Sequence, residues 1–180
     1  MRKIFLFLGC LLCMNPVPAQ KSINKLPINE LELNTNLSAV ESDLFLITGE
    51  EDIYANNPNL RENVHRNIAN GIREGLYAGN EFGLVNGIMA SRITLFFYNE
   101  ELYKVRWFFL QEDYSDLSDK SSKLVKFLEN KYGIPDEQIP QILRVWQGKK
   151  RYVQTFSEET EFQIEYRDEK IHKVVEKLKE

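Results

Sequence analysis

The chain has 180 residues, with 27 acidic against 23 basic side chains, a net charge of −4 and an aromatic content of 12%. That balance gives no electrostatic reason to bind nucleic acid. No stretch reaches the roughly twenty apolar residues that a spanning helix needs.

Chain order begins with the export signal. Arg2 and Lys3 give Met1–Ala19 a positive start, Ile4 to Met14 run apolar, and Val17-Pro18-Ala19 supplies the small residues that a signal peptidase reads. The expectation is a signal peptide over 1–19, cleaved before Gln20, and a periplasmic or secreted product. Cleavage would leave 161 residues with 21 basic against 27 acidic groups, a net charge of −6. Gly9-Cys10 has the form of a lipobox end, but Phe7 stands where leucine is usual. Acylation at Cys10 would also leave only about six apolar residues before it. The lipoprotein reading therefore gives way to cleavage before Gln20. Both cysteines, Cys10 and Cys13, lie inside the signal, so the cleaved chain has no thiol for nucleophilic, disulfide or metal chemistry.

Residues 20–30 read as an extended polar leader, and a single α+β domain is expected over 31–180. Leu31 and Leu33 alternate with Glu32 and Asn34. Asn36 then caps a helix carrying Leu37, Val40, Leu44 and Phe45, which ends at Thr48-Gly49. After the break at Asn56-Asn57-Pro58-Asn59, apolar residues recur every four positions at Leu60, Val64, Ile68, Ile72 and Leu76. This spacing predicts a helix over 60–75, although Gly71 and Gly75 each cost about 1 kcal/mol there.

From Glu81 the period changes to two. Phe82 to Met89 reads as a strand lying beside a hairpin. In the hairpin, Ile93, Leu95 and Phe97 alternate with Arg92, Thr94 and Phe96. Beyond the turn at Asn99-Glu100-Glu101, Tyr103, Val105, Trp107 and Phe109 alternate with Lys104, Arg106 and Phe108. Ser115 to Lys131 returns to helical spacing and is closed by Gly133 and Pro135. Strands are expected over 141–147, 151–157 and 161–167, then an amphipathic helix carrying Ile171, Val174, Val175 and Leu178. The order predicts an antiparallel sheet with helices on one face, divided into helix-plus-three-strand halves over 31–111 and 112–180.

Three stretches carry a resemblance: LELNTNLS at 31–38, ITLFFYNEELYKV at 93–105 and LENKYGIP at 128–135, continued by Trp146 and IEYRD at 164–168. Together they resemble small exported periplasmic proteins of Bacteroidetes-like bacteria. More distantly, they are similar to the SmpA/OmlA outer-membrane assembly lipoproteins and the β-lactamase-inhibitor-protein architecture. The resemblance implies an α+β fold and no particular activity, because its motifs are turns, caps and core positions.

Candidate chemistry is sparse. His65 and His172 are separated by more than a hundred positions, and neither has a second histidine beside it, so a zinc set is not indicated. Acidic groups cluster at Glu50-Glu51-Asp52, at Glu112-Asp113 with Asp116, and at Glu158-Glu159 with Glu161, all in turn-like sequence. Ser115, Ser118, Ser121 and Ser122 lie in neither a nucleophile elbow nor a supported Ser-x-x-Lys motif. No catalytic residue, cofactor-binding residue, cofactor or metal is assigned. Strict alternation sets Phe96, Tyr98 and Phe108 on the hairpin face opposite Trp107. There they either form a patch for a partner or lie covered by the rest of the chain. The expected function is a non-enzymatic exported module contacting another envelope protein by its sheet face or edge. The alternatives are a carboxylate-dependent hydrolase acting on envelope polymer and a carrier of a small ligand. Neither the partner nor the oligomeric state can be read from the sequence.

Overall fold

The computed structural model describes residues 22–24, 27–46, 58–111 and 114–179; the signal region 1–19 and the acidic groups at 50–52 and 112–113 lie outside them. The described residues form ten strands and three α-helices: β1 Leu44–Leu46, α1 Pro58–Ala69, β2 Ile72–Tyr77, β3 Leu84–Val85, β4 Ile88–Met89, β5 Arg92–Tyr98, β6 Glu101–Leu110, α2 Tyr114–Tyr132, β7 Glu137–Ile139, β8 Leu143–Gln147, β9 Arg151–Ser157, β10 Glu161–Asp168 and α3 Glu169–Lys179. Eight strands make one antiparallel sheet in the order β1-β2-β5-β6-β10-β9-β8-β7, and β3 with β4 forms a separate small ribbon. The fold is α+β. Strands β1, β2, β5 and β6 build one side of the sheet and β7 to β10 the other, joined where β6 pairs with β10 from Lys104↔Arg167 to Leu110↔Glu161.

The β5–β6 hairpin forms as its sequence predicts. Asn99 and Glu100 take φ of 50° and 66°, the left-handed pair that a two-residue hairpin turn requires. A bulge changes the alternation, however. Phe96 faces Lys104 and Phe97 faces Leu102, which leaves Tyr103 as the extra residue. Tyr103 consequently packs with Phe96, their ring centroids 6.5 Å apart, rather than with Val105 and Trp107.

One sheet face carries the main core. Leu95, Phe97, Val105, Trp107, Phe109, Ile164 and Tyr166 meet Leu117, Leu124, Leu128 and Tyr132 of α2. The two buried indoles satisfy their donors on backbone: Trp107 Nε1 donates to Phe82 O at 2.9 Å and Trp146 Nε1 to Gly133 O at 2.8 Å. The described residues of the segment expected to be an extended leader, 22–24 and 27–30, contribute to this core. Residues 22–24 form a 3-10 turn, and Ile23 and Ile28 are buried beside Leu31 and Leu33. Asn24 Oδ1 accepts from the backbone N–H groups of Lys150 and Arg151, and Lys131 Nζ donates to Ile28 O.

Three local expectations change for identifiable reasons. Asn36 does cap, with its Oδ1 accepting from Ser38 N at 3.0 Å, but the chain beyond it makes two 3-10 turns, at 37–39 and 41–43, and then enters β1. Backbone bonds from Leu37 N to Glu100 O at 2.7 Å and from Leu102 N to Thr35 O at 2.9 Å tie this segment to the hairpin and displace the helix. The helix expected over 60–75 stops at Ala69. Gly71 takes φ of 74° and β2 begins at the next residue, so the recurrence at Ile72 and Leu76 is a strand's. Gly75 sits inside β2 where a Cβ would come within 2.7 Å of the Leu44 side chain, so its absence lets β1 close on the edge. The strand beside β5 is β2, paired from Ile72↔Tyr98 to Tyr77↔Ile93, and 82–89 folds instead into the β3–β4 ribbon around Asn86-Gly87.

The helices do not share a face. α2 covers the main core, whereas α3 lies on the opposite face, where Val175, Ile171 and Leu178 meet Ile72, Phe96, Tyr98 and Tyr103. Ile171, Val175 and Leu178 make a single apolar stripe at helical spacing, and Tyr103, displaced by the bulge, joins Phe96 and Tyr98 as its bed.

Candidate interaction surface

The face that carries α3 is the one with unusual chemistry. Period-two alternation sends Arg92, Thr94 and Phe96 of β5 to this side, with Lys104, Arg106 and Phe108 of β6. Across the sheet Glu161, Gln163, Glu165 and Arg167 of β10 and Tyr152, Gln154 and Phe156 of β9 join them. Glu165 lies at the centre, 3% exposed. It accepts from Arg106 Nε and Nη2 at 3.1 and 2.6 Å and from Arg167 Nη1 at 2.5 Å. Arg167 Nε also donates to Glu169 at 3.0 Å, linking the lattice to the start of α3. Glu161 accepts from Gln163 Nε2 and lies 3.5 Å from Arg92.

Aromatic rings lie close beneath the cations. Arg92 stands 3.8 Å over Phe108, Lys104 3.8 Å over Phe96 and Arg167 3.7 Å over Tyr152. Burial pushes the Lys104 ammonium down to about 8, against the attraction of Glu165. Burial alone would raise the Glu165 carboxyl. The charge of Lys104 and the hydrogen bonds from Arg106 and Arg167 outweigh it and hold the group below its ordinary value. Burial also raises the Tyr103 hydroxyl. Tyr103 Oη and His172 Nδ1 are the buried side-chain polar atoms without a hydrogen-bond partner among the described residues. Both are near Glu176 of α3, whose carboxylate lies 3.9 Å from His172 Nδ1.

The proposed aromatic patch is placed as alternation requires but is not open. Phe96 is 5% and Phe108 6% exposed, the first under α3 and Lys104, the second under Arg92; Tyr98 packs half-buried against the α3 cluster. The rings therefore act as a floor beneath charged groups rather than as anchors. Sequence reasoning missed Arg92, Arg106, Glu165 and Arg167, because alternate polar residues on a strand ordinarily signify a solvated face. Only the register, Glu165 opposite Arg106 and Arg92 opposite Phe108, makes them one lattice.

The other candidates stay apart. His65 is exposed on α1, and His172 faces Arg167 and Lys104 from α3. Asp116 pairs with Lys120 at 2.5 Å. Ser118, Ser121 and Ser122 line an open cleft of about 670 Å³ between α2 and the β9–β10 turn, with Glu129, Glu158, Glu159 and Glu161. Of its carboxylates, Glu129 lies 3.9 Å from Arg144. Among the described residues no group of three or more His, Cys, Asp or Glu side chains could hold a metal ion, and no helix is long and apolar enough to cross a membrane.

No protein-family model, curated protein or solved structure matches this chain.

Proposed function

We propose that this protein is an exported, non-enzymatic interaction module of the cell envelope, which engages another protein through the part of its sheet that α3 leaves open. The observation that carries this reading is the lattice on β5, β6, β10 and β9. Arginines seated over rings, with Tyr152, Gln154, Phe156 and Gln163 half-buried around them, form a broad, pre-organised and amphipathic surface. Tyrosine and arginine dominate binding energy at protein interfaces, and side chains already held in place lose little entropy on docking. The charged start, apolar run and Val17-Pro18-Ala19 of the sequence support export.

A photo-crosslinking residue placed at Gln154, on the open face, tests this in the producing cell against the same residue placed at Lys126, on the exposed side of α2. Discrete adducts with an envelope protein from position 154, and none from 126, are expected. Adducts from 126 alone would transfer the interaction to the helical side. Mass spectrometry of the same product should find Gln20 as its first residue; acylated Cys10 in that place would replace export in soluble form with lipid anchoring.

A further inference from the structure

We infer that the partner presents carboxylates to this face: an acidic, extended protein segment that pairs with Arg92 and Arg106. The inference rests on the open face being the interaction surface, and it adds the chemistry of the segment that docks there. The charges on the lattice are not equally accessible. The side chains of Arg92 and Arg106 are 46% and 32% exposed, whereas those of Glu161 and Glu165 are 17% and 4% exposed. The carboxylates lie beneath the guanidinium groups and are already occupied, Glu165 by Arg106 and Arg167, Glu161 by Gln163 and Arg92. A guanidinium has five donors. Arg106 spends Nε and Nη2 on Glu165, which leaves Nη1 for an incoming acceptor. An approaching molecule thus meets a positive stripe on a chain whose net charge is −4.

The geometry suits a carboxylate in particular. The Arg92 guanidinium stands 3.8 Å over the Phe108 ring, and that of Arg106 is held by its Nε and Nη2 bonds to Glu165 at 3.1 and 2.6 Å. These contacts hold both groups in place, and a planar fork is the shape that binds carboxylate oxygens in pairs. Side chains of one face repeat about every 7 Å along an extended strand, a spacing suited to two neighbouring cations. The acidity of the whole chain opposes a long polyanion such as nucleic acid, whereas a short segment feels mainly the local pair.

The test uses the full exported chain, isotope-labelled for NMR, and three blocked octapeptides of alternating Glu-Thr, Gln-Thr and Lys-Thr. The Glu-Thr peptide should shift resonances of Arg92, Arg106, Phe108 and Tyr152 and bind at least about tenfold more tightly than the Gln-Thr peptide. Arg92→Gln should abolish that advantage while leaving the thermal transition in place, because Arg92 is exposed; Arg92→Lys should retain part of it. Raising salt from about 50 to about 500 mM should weaken binding, as expected for surface ion pairs. Equal binding of the Glu-Thr and Gln-Thr peptides at this face would overturn the acidic partner and leave the face as the interaction surface, as would preference for Lys-Thr. If no peptide shifts these residues, the acidic partner falls, and adducts from position 154 then decide separately whether the face binds protein at all.

Discussion

Trp107 and Glu165 show how two buried side chains can be held by opposite means. Trp107 is fully buried in the α2-side core, and its indole N–H donates to Phe82 O. Trp107→Ala removes a large apolar surface and leaves a cavity, so urea unfolding should show a loss of about 3–5 kcal/mol. Glu165 is held by charge: it neutralises Arg106 and Arg167 where solvent does little of the work. Glu165→Ala leaves Arg106 unpaired beside buried Lys104 and Arg167 with Glu169 alone, and a loss of about 3–5 kcal/mol is expected by the same measurement. An unfolding curve for Glu165→Ala that overlies the parent would show that the lattice adds nothing to stability.

Among the elements, the segment before Leu31 and α3 have the clearest consequences. Ile23 fills the core between α2 and β9, and Gly148 lies so close that a Cβ there would come within 2.6 Å of Ile23 Cγ2. Ile23→Ala should therefore cost about 2–5 kcal/mol, a loss that an extended, solvated leader would not produce. Thermal denaturation distinguishes the two. α3 depends on Val175, its one fully buried residue, which packs on Ile72, Phe96 and Tyr103. Val175→Asp buries a charge without a partner and should release the helix. Increased binding of an apolar dye, with near-native far-ultraviolet dichroism from the sheet, would report that release; unchanged dye binding would contradict the docking described.

At the scale of the whole molecule the lattice makes stability depend on pH. Burial, then the charges of Arg167 and Lys104, hold His172 below its ordinary value of 6.5. The unfolded chain thus takes up that proton first, and stability present above pH 6.5 is lost as pH falls through it. Glu165, held below 4.5, adds a second loss under pH 4.5. Lys104 acts at the other end. Its folded value of about 8 lies under the unfolded 10.5, so stability should rise from about pH 8 toward 10, before the raised Tyr103 opposes it. Melting temperatures across pH 3 to 10 check the signs, and His172→Gln should flatten only the limb that begins at about pH 6.5.

The sequence by itself determined the elements whose period and punctuation agree: the hairpin at 92–110, the helix closed by Gly133, the strands around 143–168 and the terminal helix. In each, side-chain spacing and turn chemistry point to the same structure, so local physics suffices. Where they disagreed, tertiary bonds decided. Residues 34–37 followed backbone pairing with the hairpin and 44–46 pairing with β2 rather than their helical spacing, and Gly71 ended a periodicity that the apolar residues alone would have extended. The surface was legible only in part. Alternation placed Phe96, Tyr98 and Phe108 on one face, but which groups cover them depends on strands and helices far apart in the chain. Glu165 meets Arg106 across a distance of 59 residues, and α3 meets Phe96 together with Tyr103, which a bulge turns to that side. A period fixes which way a side chain points, and register and docking fix what it meets.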